Sequence, residues 1–492
     1  MFDNCSIFKN IWEKAIKELN FDSLIGIKSE IIARYITEDY NEIIERQKII
    51  SDLEKNDYLF DVFSRLIVNI ETINSIRKKI ESIDSVERIL YRIRDTKVFV
   101  DCVEMLATAY EKFSTTLQSK RLSFYLESYY ELSKTEKFTG VKQYILEFDT
   151  VICDIKSINL AVNLNAEFAP TEIGIISFNK EFYLADNIFS RVFSSSSSPH
   201  PVTPLVKYTK ENTALDNSIY LSINDYIKKA LKKKMTELLF EFESMTSGFM
   251  EIKDELLFLG KCVQFIKQYR MIGAYFSFPK TGEKTSIEGA YNPLLLKTIE
   301  YNRIVKNDIS FSESARIIIL TGANAGGKSI YLRTVGIIQL FFQLGMPVPA
   351  FSAIIKTRDK LFTDFSKKNL ENSESSFVEE CKLVRTIIDE IGSNSMILFD
   401  EAFSSTSSAD GSEVAFNVLR FIQKKSAYCL FSTHLHELSN YIDKLNTYGQ
   451  TVIPAHVDVS NGKRTYKVIL GSDDGFSHAF DIARRYGLLF LE

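Results

Sequence analysis

The segment ARIIILTGANAGGKSIYLRTVGIIQLFF, which begins at Ala315, limits the possible folds of this chain more than any other part of the sequence. Its apolar run at 317–320 predicts a buried strand, and the amphipathic stretch after Ser329 predicts a helix. Between them stands the pattern G-x-x-x-x-G-K-S. Glycines let backbone N–H groups close around phosphate oxygens, and the helix N-terminus adds the positive end of its dipole. The segment therefore predicts a phosphate-binding loop at 322–329 within an α/β domain.

The side chains of this loop predict a site for ATP with Mg²⁺. Lys328 is expected to reach the terminal phosphates, and the hydroxyl of Ser329 is expected to ligate Mg²⁺. The strand before the loop and the helix after it make a purely structural glycine turn a poor alternative. We expect the loop to contact the nucleotide through Gly322, Asn324, Ala325, Gly326, Gly327, Lys328, Ser329 and Ile330.

Two later strand ends carry the polar groups that hydrolysis would need. The apolar run at 396–399 ends in Asp400 and Glu401. A carboxylate at such a strand tip suits metal coordination by Asp400, and its neighbour Glu401 suits a general base. LFSTHLHEL is a further buried strand that ends at His434, which could sense the γ-phosphate or hold the attacking water. Taken alone, paired acids often mark a surface turn, and a strand-end histidine often packs or caps. Beside this phosphate loop we predict catalytic roles for Glu401, His434 and Lys328.

The N-terminal half of the chain predicts a helical body. Residues 1–150 contain no proline and place apolar residues three and four positions apart, which is typical of amphipathic helices. The runs at 158–165 and 173–178 are strand-like, and the polar stretch FSSSSSPHP that follows is typical of a loop. These features predict a short insertion near 150–220 that differs from the helices around it.

The C-terminal part alternates short apolar runs with helical stretches, and the apolar runs stand at 316–320, 395–399 and 427–431. That alternation is typical of a mostly parallel sheet flanked by helices. We therefore predict two domains, a helical one over 1–285 and an α/β P-loop domain over 286–492.

A cluster of lysines opens the second helical stretch, which runs from Ser222 to about Tyr275. The cluster consists of Lys228, Lys229, Lys232, Lys233 and Lys234. It could be a solvated helix face, because no aromatic residues interleave with the lysines. The alternative is contact with nucleic-acid phosphates, which needs no sequence reading. The formal net charge of −4 shows that any polyanion would have to bind such a local basic face.

Composition excludes several classes of protein. The six cysteines show no CxxC pair, which disfavours a zinc site or a disulfide framework and suits a reducing compartment. No stretch approaches the roughly 20 apolar residues of a membrane span. We therefore expect a cytoplasmic protein with no membrane partner.

Together the motifs resemble the MutS family of DNA mismatch-repair ATPases. The likeness runs, in the order of that family's C-terminal ATPase domain, through TGANAGGKSIYLRTVG, GMPVPA, SSFVEE, DEAFSSTSSADG and STHLHEL. GFSHAFDIARRYGL is similar to the helix that closes that domain. EIIERQKIISDL and VNLNAEFAPTEIGIISF resemble the family's helical core more weakly. The resemblance covers about residues 30–490. It implies a helical core and lever domain with a short clamp-like insertion near 150–220, followed by an ABC-like P-loop NTPase domain.

In that family two ATPase domains dimerise, and each completes the other's site. The resemblance therefore implies a homodimer through the ATPase domain, in which Ser375 and Ser376 face the γ-phosphate bound by the opposite subunit. It also implies that Ile304 packs against the adenine. The chain departs from the family pattern at Asn292-Pro293, Ala323, Ala325, Ser373 and the stretch from Ala402 to Ser405.

The resemblance implies a DNA-binding ATPase whose helical levers move like a clamp on duplex or branched DNA. No Phe-x-Glu wedge of the family's mismatch-reading domain is present, so we expect no intrinsic mismatch reading. The acidic balance leaves open an ABC-like mechanochemical ATPase that acts on a protein or a structured RNA. A dimer that binds nucleotide without hydrolysis is a third alternative, and the presence of Lys328, Asp400 and Glu401 argues against it.

Overall fold

The computed structural model describes residues 3–80, 86–153, 156–167, 170–181, 249, 252–322, 327–365, 373–435, 438, 441–460 and 463–471. The chain divides into two compact units. The first contains Met1–Phe60, Leu117–Leu122 and Asp254–Glu492, and the second contains Asp61–Thr116 and Ser123–Lys253. The lysine cluster at 228–234, the loop FSSSSSPHP and the segment GFSHAFDIARRYGL lie outside the described residues.

The helices predicted for the N-terminal region are present. In chain order the described helices are α1 (Asp3–Glu18), α2 (Phe21–Ile25), α3 (Ser29–Ile32), α4 (Tyr40–Lys55), α5 (Asp57–Ile80), α6 (Val86–Phe113), α7 (Lys120–Lys134), α8 (Glu136–Cys153), α9 (Lys253–Met271), α10 (Lys328–Gln343), α11 (Ser373–Glu390), α12 (Ser408–Lys424) and α13 (Ile442–Asn446). In α5 the buried residues Val62, Leu66, Ile70 and Ile73 follow the spacing of one helix face. The apolar stripes therefore form helix cores, as the sequence predicts.

The strands of the described residues fall into three sheets. In chain order they are β1 (Ser157–Leu164), β2 (Pro170–Asn179), β3 (Lys280–Thr281), β4 (Thr285–Ala290), β5 (Asn307–Phe311), β6 (Ile317–Thr321), β7 (Ser352–Ile355), β8 (Leu361–Asp364), β9 (Met396–Asp400), β10 (Tyr428–Ser432), β11 (Val452–Ser460) and β12 (Lys463–Leu470). In the second unit β1 and β2 form an antiparallel hairpin, which confirms the strand-like runs predicted near 158–165 and 173–178.

The main sheet of the first unit has the strand order β12-β11-β6-β10-β9-β8. Parallel pairing joins every neighbour in this order except β12, which runs antiparallel to β11. The central strands are almost wholly buried, because helices cover both faces of a parallel sheet. A smaller sheet has the order β3-β7-β4-β5. The predicted helical region followed by an α/β domain with a mostly parallel sheet is thus confirmed.

The first 60 residues pack with the α/β part of the chain. The rings of Phe21 and Phe341 meet edge to face with their centroids 5.0 Å apart. The side chain of Gln343, at the end of α10, donates to the carbonyl of Thr37 at 3.2 Å. The compact unit around the phosphate loop therefore reaches beyond the 286–492 segment predicted from the sequence. An apolar stripe shows that a helix is buried, but not which element buries it.

In the described part of the chain, no helix is both long enough and apolar enough to cross a membrane.

Candidate nucleotide-binding site

The predicted site residues converge because three parallel strands end at one edge of the main sheet. Ser432 at the end of β10 pairs with Leu320 of β6 on one side and with Asp400 of β9 on the other. Ligands of open α/β sheets bind outside the carboxyl ends of the strands. The loop after β6 and the acids after β9 therefore share one edge, together with His434 two residues beyond β10.

Lys328 is the first residue of α10 and is buried, with 4% of its side chain exposed. Its Nζ donates to the carbonyl oxygen of Gly322 at 2.6 Å and lies 4.0 Å from Oε1 of Glu401. Desolvation lowers the pKa of Lys328, while the charges of Glu401 and Asp400 oppose that shift. Gly327 before it has a φ of 96°, a left-handed backbone that favours glycine. The buried ammonium is thus held at the mouth of the loop.

Ser329 and Asp400 place two oxygen atoms that could ligate a metal next to each other. The Oγ of Ser329 donates to Oδ1 of Asp400 at 3.0 Å, and the Oγ of Ser432 donates to the same oxygen at 2.8 Å. Mg²⁺ binds through one or two protein oxygens together with waters and substrate phosphates. No group of three or more His, Cys, Asp or Glu side chains that could hold a metal was found in the described residues. The pair therefore fits a Mg²⁺ ion shared with phosphate, not a cage made by protein alone.

Glu401 stands on a strained turn. Its φ is 58°, and its N–H donates to the carbonyl of Ser432 at 3.0 Å. Its Oε1 lies 4.0 Å from Nζ of Lys328 and 3.8 Å from Nδ1 of His434. Left-handed backbone at a residue other than glycine persists only where the surroundings enforce it. The turn aims this carboxylate between the lysine and the histidine.

The stretch that departs from the family pattern continues this turn. Phe403 also has a positive φ of 60°, and its side chain is buried in the core together with Ala402. Glu380 of α11 accepts a hydrogen bond from the N–H of Phe403 at 2.6 Å and another from the Oγ of Ser405 at 3.2 Å. The core and this carboxylate together fix the turn that carries Glu401.

The other predicted site residues have fewer described contacts. Ile330 is 42% exposed, and its carbonyl accepts a hydrogen bond from Nδ2 of Asn292 at 3.4 Å. Ile304 is buried at 4% exposure, and no described contact places it against a nucleotide. The described residues do not include Asn324, Ala325 and Gly326, nor the side chains of Ser375 and Ser376 in the first turn of α11.

Sequence reasoning missed two residues that hold the site together. Ser432 orients Asp400, and its only sequence signal is a polar residue at the end of an otherwise apolar strand. Glu380 holds the turn after Glu401, and it lies within the SSFVEE motif. Neither role is visible in the sequence, because each depends on a contact between distant segments.

Comparison with known proteins places these residues in a family. Residues 318–487 match the model of MutS domain V. The DNA mismatch repair protein MutS of Prochlorococcus marinus (strain MIT 9301) is 38% identical over 168 residues, which are 34% of this chain and 18% of that protein. Endonuclease MutS2 of Shouchella clausii (strain KSM-K16) is 27% identical over 285 residues, 56% of this chain and 35% of that protein.

The matched regions thus span between 18% and 35% of the length of these two relatives. The MutS domain V match includes Lys328, Ser329, Asp400, Glu401 and His434, which the structure brings together. The chain therefore contains a region, residues 318–487, that is similar to domain V of the MutS family.

Proposed function

We propose that this protein is a MutS-like ATPase that hydrolyses ATP with Mg²⁺ at the edge of its main sheet. The observation that carries the proposal is the convergence of Lys328, Glu401 and His434 beside the paired oxygens of Ser329 and Asp400. This set supplies a cation for phosphate, oxygen ligands for a metal and a carboxylate for water.

Each residue has a role that follows from its surroundings. When bound, Mg²⁺ would supply positive charge that offsets the negative charge of the phosphates. Ser329 and Asp400 would hold it, and Ser432 keeps the carboxylate of Asp400 in place. Lys328 would exchange its contact with the carbonyl of Gly322 for the terminal phosphates.

Hydrolysis also needs an oriented water. Glu401 would accept the proton of that water or orient it. His434, with its Nδ1 3.8 Å from the Glu401 carboxylate, is close enough to position the same water or to contact the γ-phosphate. The strained turn at Glu401 gives this carboxylate one direction before any ligand arrives.

Two variants test the catalytic proposal. Lys328→Ala is expected to lose ATP binding, and Glu401→Gln to bind ATP while releasing little phosphate. Phosphate release and equilibrium ATP binding measure the two effects separately. The exposed residues Lys424 and Glu413 on α12 provide matched controls as Lys424→Ala and Glu413→Gln. Wild-type turnover no faster than that of Glu401→Gln would refute the assignment of Glu401.

We also propose that two copies of the chain share their sites. The observation behind this is the position of Ser375 and Ser376 in the first turn of α11, at a helix N-terminus that suits phosphate. The Glu401→Gln variant should dimerise with ATP, as measured by light scattering. Replacing both serines with alanine should weaken that dimer and leave ATP binding by the monomer intact.

DNA is the proposed partner of the helical second unit, which would act as a clamp-like lever. At the end of α5, Lys78 and Lys79 line an open groove of about 660 Å³ together with Asn74, Ser75, Lys253 and Glu71, whose carboxylate lies 3.3 Å from Nζ of Lys253. Ammonium and amide groups are the usual partners of the phosphate backbone, which positions a protein without specifying sequence. This groove supports binding of duplex or branched DNA through phosphates.

A binding panel of homoduplex, mismatched duplex, four-way junction and structured RNA tests this partner. Affinity for DNA should be highest near about 50 mM salt and fall steeply by about 200 mM. The double change Lys78→Glu and Lys79→Glu should reduce the slope of log affinity against log salt, whereas Lys137→Glu on α8 should not. Preference for RNA, or binding only to a protein from extract, would favour the alternative mechanochemical ATPase.

A further inference from the structure

A cavity of about 280 Å³ lies between α1, β8 and α11, which all belong to the first unit. It is separate from the nucleotide site, because none of the described residues of the phosphate loop and neither acid after β9 lines it. At its mouth Asn10, Lys14 and Thr386 are exposed, and Glu390 is half-buried. The cavity therefore opens to solvent through a polar rim.

The inner wall of this cavity is apolar apart from one hydroxyl. The buried lining residues, each at most 7% exposed, are Leu361, Phe362, Thr363 and Ile387. The two helices add partly buried aliphatic side chains, those of Ile11 and Leu383. Thr363 therefore has the one polar side chain among these six lining residues.

Within the described residues, the hydroxyl of Thr363 has no hydrogen-bond partner. The residue is 2% exposed, so bulk water hardly reaches it, and its Oγ1 makes no hydrogen bond. Leaving a buried hydroxyl without a partner costs free energy, and most such groups in native proteins are satisfied. An ordered water typically makes about three hydrogen bonds, which an apolar wall does not supply. The cavity thus presents a polar group that a bound molecule could satisfy.

The free edge of β8 brings backbone groups to the same region. β8 ends the strand order of the main sheet, and the carbonyl of Lys360 just before it accepts from the N–H of Met396 of β9 at 2.9 Å. The N–H of Phe365 instead donates to Oε2 of Glu18 on α1 at 3.4 Å. Because peptide groups alternate in direction along a strand, Thr363 also turns its N–H and C=O away from β9. Polar backbone groups therefore stand near the hydroxyl, on the side of α1.

We propose that this cavity binds a small, mainly apolar molecule with one hydrogen-bonding group, which pairs with the hydroxyl of Thr363. A dry apolar cavity of about 150 Å³ holds benzene, so a cavity of about 280 Å³ suits an aromatic ring with small substituents. Ligand pockets commonly combine an apolar lining with a few polar groups that fix the orientation of the ligand. The proposal is independent of ATP hydrolysis, because none of the residues that carry it belongs to the nucleotide site.

The probes p-cresol and toluene test the role of the hydroxyl, because they share a methylated ring and only p-cresol carries an OH group. Calorimetric titration should show that the full wild-type chain binds both. Thr363→Val keeps the shape of the side chain and removes its hydroxyl. This variant should bind p-cresol about tenfold more weakly, since the buried OH of the probe then lacks a partner, and toluene at least as tightly as wild type. Its melting temperature should be unchanged or higher, because an unpartnered buried hydroxyl is removed.

A second pair of variants tests the location of the probes. Leu383→Trp should fill the cavity from α11 and abolish binding of both p-cresol and toluene. Lys382→Trp places the same ring at the exposed neighbouring position, outside the cavity lining, and should change neither affinity.

Wild-type protein that binds neither probe would overturn the proposal, because the cavity would then be filled or closed in solution. Binding that survives in Leu383→Trp would overturn it too, since the probes would bind elsewhere. Equal weakening of both probes in Thr363→Val, or a lower melting temperature of that variant, would show that the hydroxyl has a structural partner and would also refute the proposal. Each of these results leaves the ATP site untouched, so failure here differs from failure of the proposed function.

Discussion

The carboxylate of Asp52 in α4 holds the turn between α6 and α7 through hydrogen bonds, and substitution of this residue tests their contribution to stability. Its carboxylate is buried, at 2% exposure, and accepts hydrogen bonds from the N–H of Gln118 at 3.0 and 3.1 Å and from that of Ser119 at 2.9 Å. These residues belong to the first unit, and the chain continues from them into α7. We therefore predict that Asp52→Ala loosens the point at which the chain leaves the unit of the phosphate loop.

The magnitude follows from the burial of the two donors. Ser119 is buried at 1% exposure, and leaving its N–H without a partner costs about 1–3 kcal/mol. Gln118 is exposed, so water can replace the lost acceptor and only the net value of a hydrogen bond, about 1 kcal/mol, is lost. The free energy of unfolding of the first unit should therefore fall by about 2–4 kcal/mol.

The single tryptophan makes this measurement specific. Trp12 lies fully buried in α1, within the first unit, so its fluorescence in urea reports the unfolding of that unit. Asp52→Asn keeps one oxygen acceptor and should lose about half as much as Asp52→Ala. Asp57→Ala, which removes an almost fully exposed carboxylate paired with Lys267, should leave the transition nearly unchanged. A loss below about 0.5 kcal/mol in Asp52→Ala, within the usual range of surface substitutions, would refute the reasoning.

Three further predictions concern the phosphate-loop unit. Gly345→Ala should lower the free energy of unfolding of this unit by more than Gly26→Ala does. Both glycines have a φ of 75°, so the backbone strain is the same. A Cβ at Gly345 would lie 2.5 Å from an α4 side chain, whereas a Cβ at Gly26 would meet nothing within 4 Å. Urea unfolding followed by tryptophan fluorescence compares the two, and equal losses would show that backbone strain alone matters. Lys328→Met should raise the unfolding midpoint at pH 7 without nucleotide, because burial lowers the pKa of the lysine and the folded state bears the cost of its charge. The cost of charging Lys328 is fully present below its pKa in the folded state and disappears as the pH rises towards the ordinary value of 10.5. The stability gained by Lys328→Met should therefore shrink as the pH rises, and a gain that grows with pH would contradict the prediction. Ser432→Ala should raise the Mg²⁺ concentration for half-maximal ATP hydrolysis by about tenfold, the usual effect of removing a group that orients a metal ligand. An unchanged Mg²⁺ dependence would show that Asp400 needs no such support.

Much of the α/β architecture follows from local signals in the sequence. The apolar runs before Gly322, Asp400 and His434 identify buried strands, and each is found within a residue of its predicted position. Because parallel strands present their carboxyl ends at one edge, the same signals bring Lys328 and Glu401 together. Residue type and strand order are sufficient for this part of the site.

Other features depend on contacts between segments far apart in the chain. No local pattern in the first 60 residues indicates that they pack on α10, because an apolar stripe does not show which element will cover it. The left-handed backbone at Glu401 and Tyr466 is likewise invisible in the sequence, since neither residue favours that conformation by itself. Glu380 and Asn307 help to hold the chain at these two points from other elements. The sequence by itself determined the chemical groups and the strands that carry them, and the tertiary structure decided their directions, because only packing against distant residues can hold a strained backbone in place.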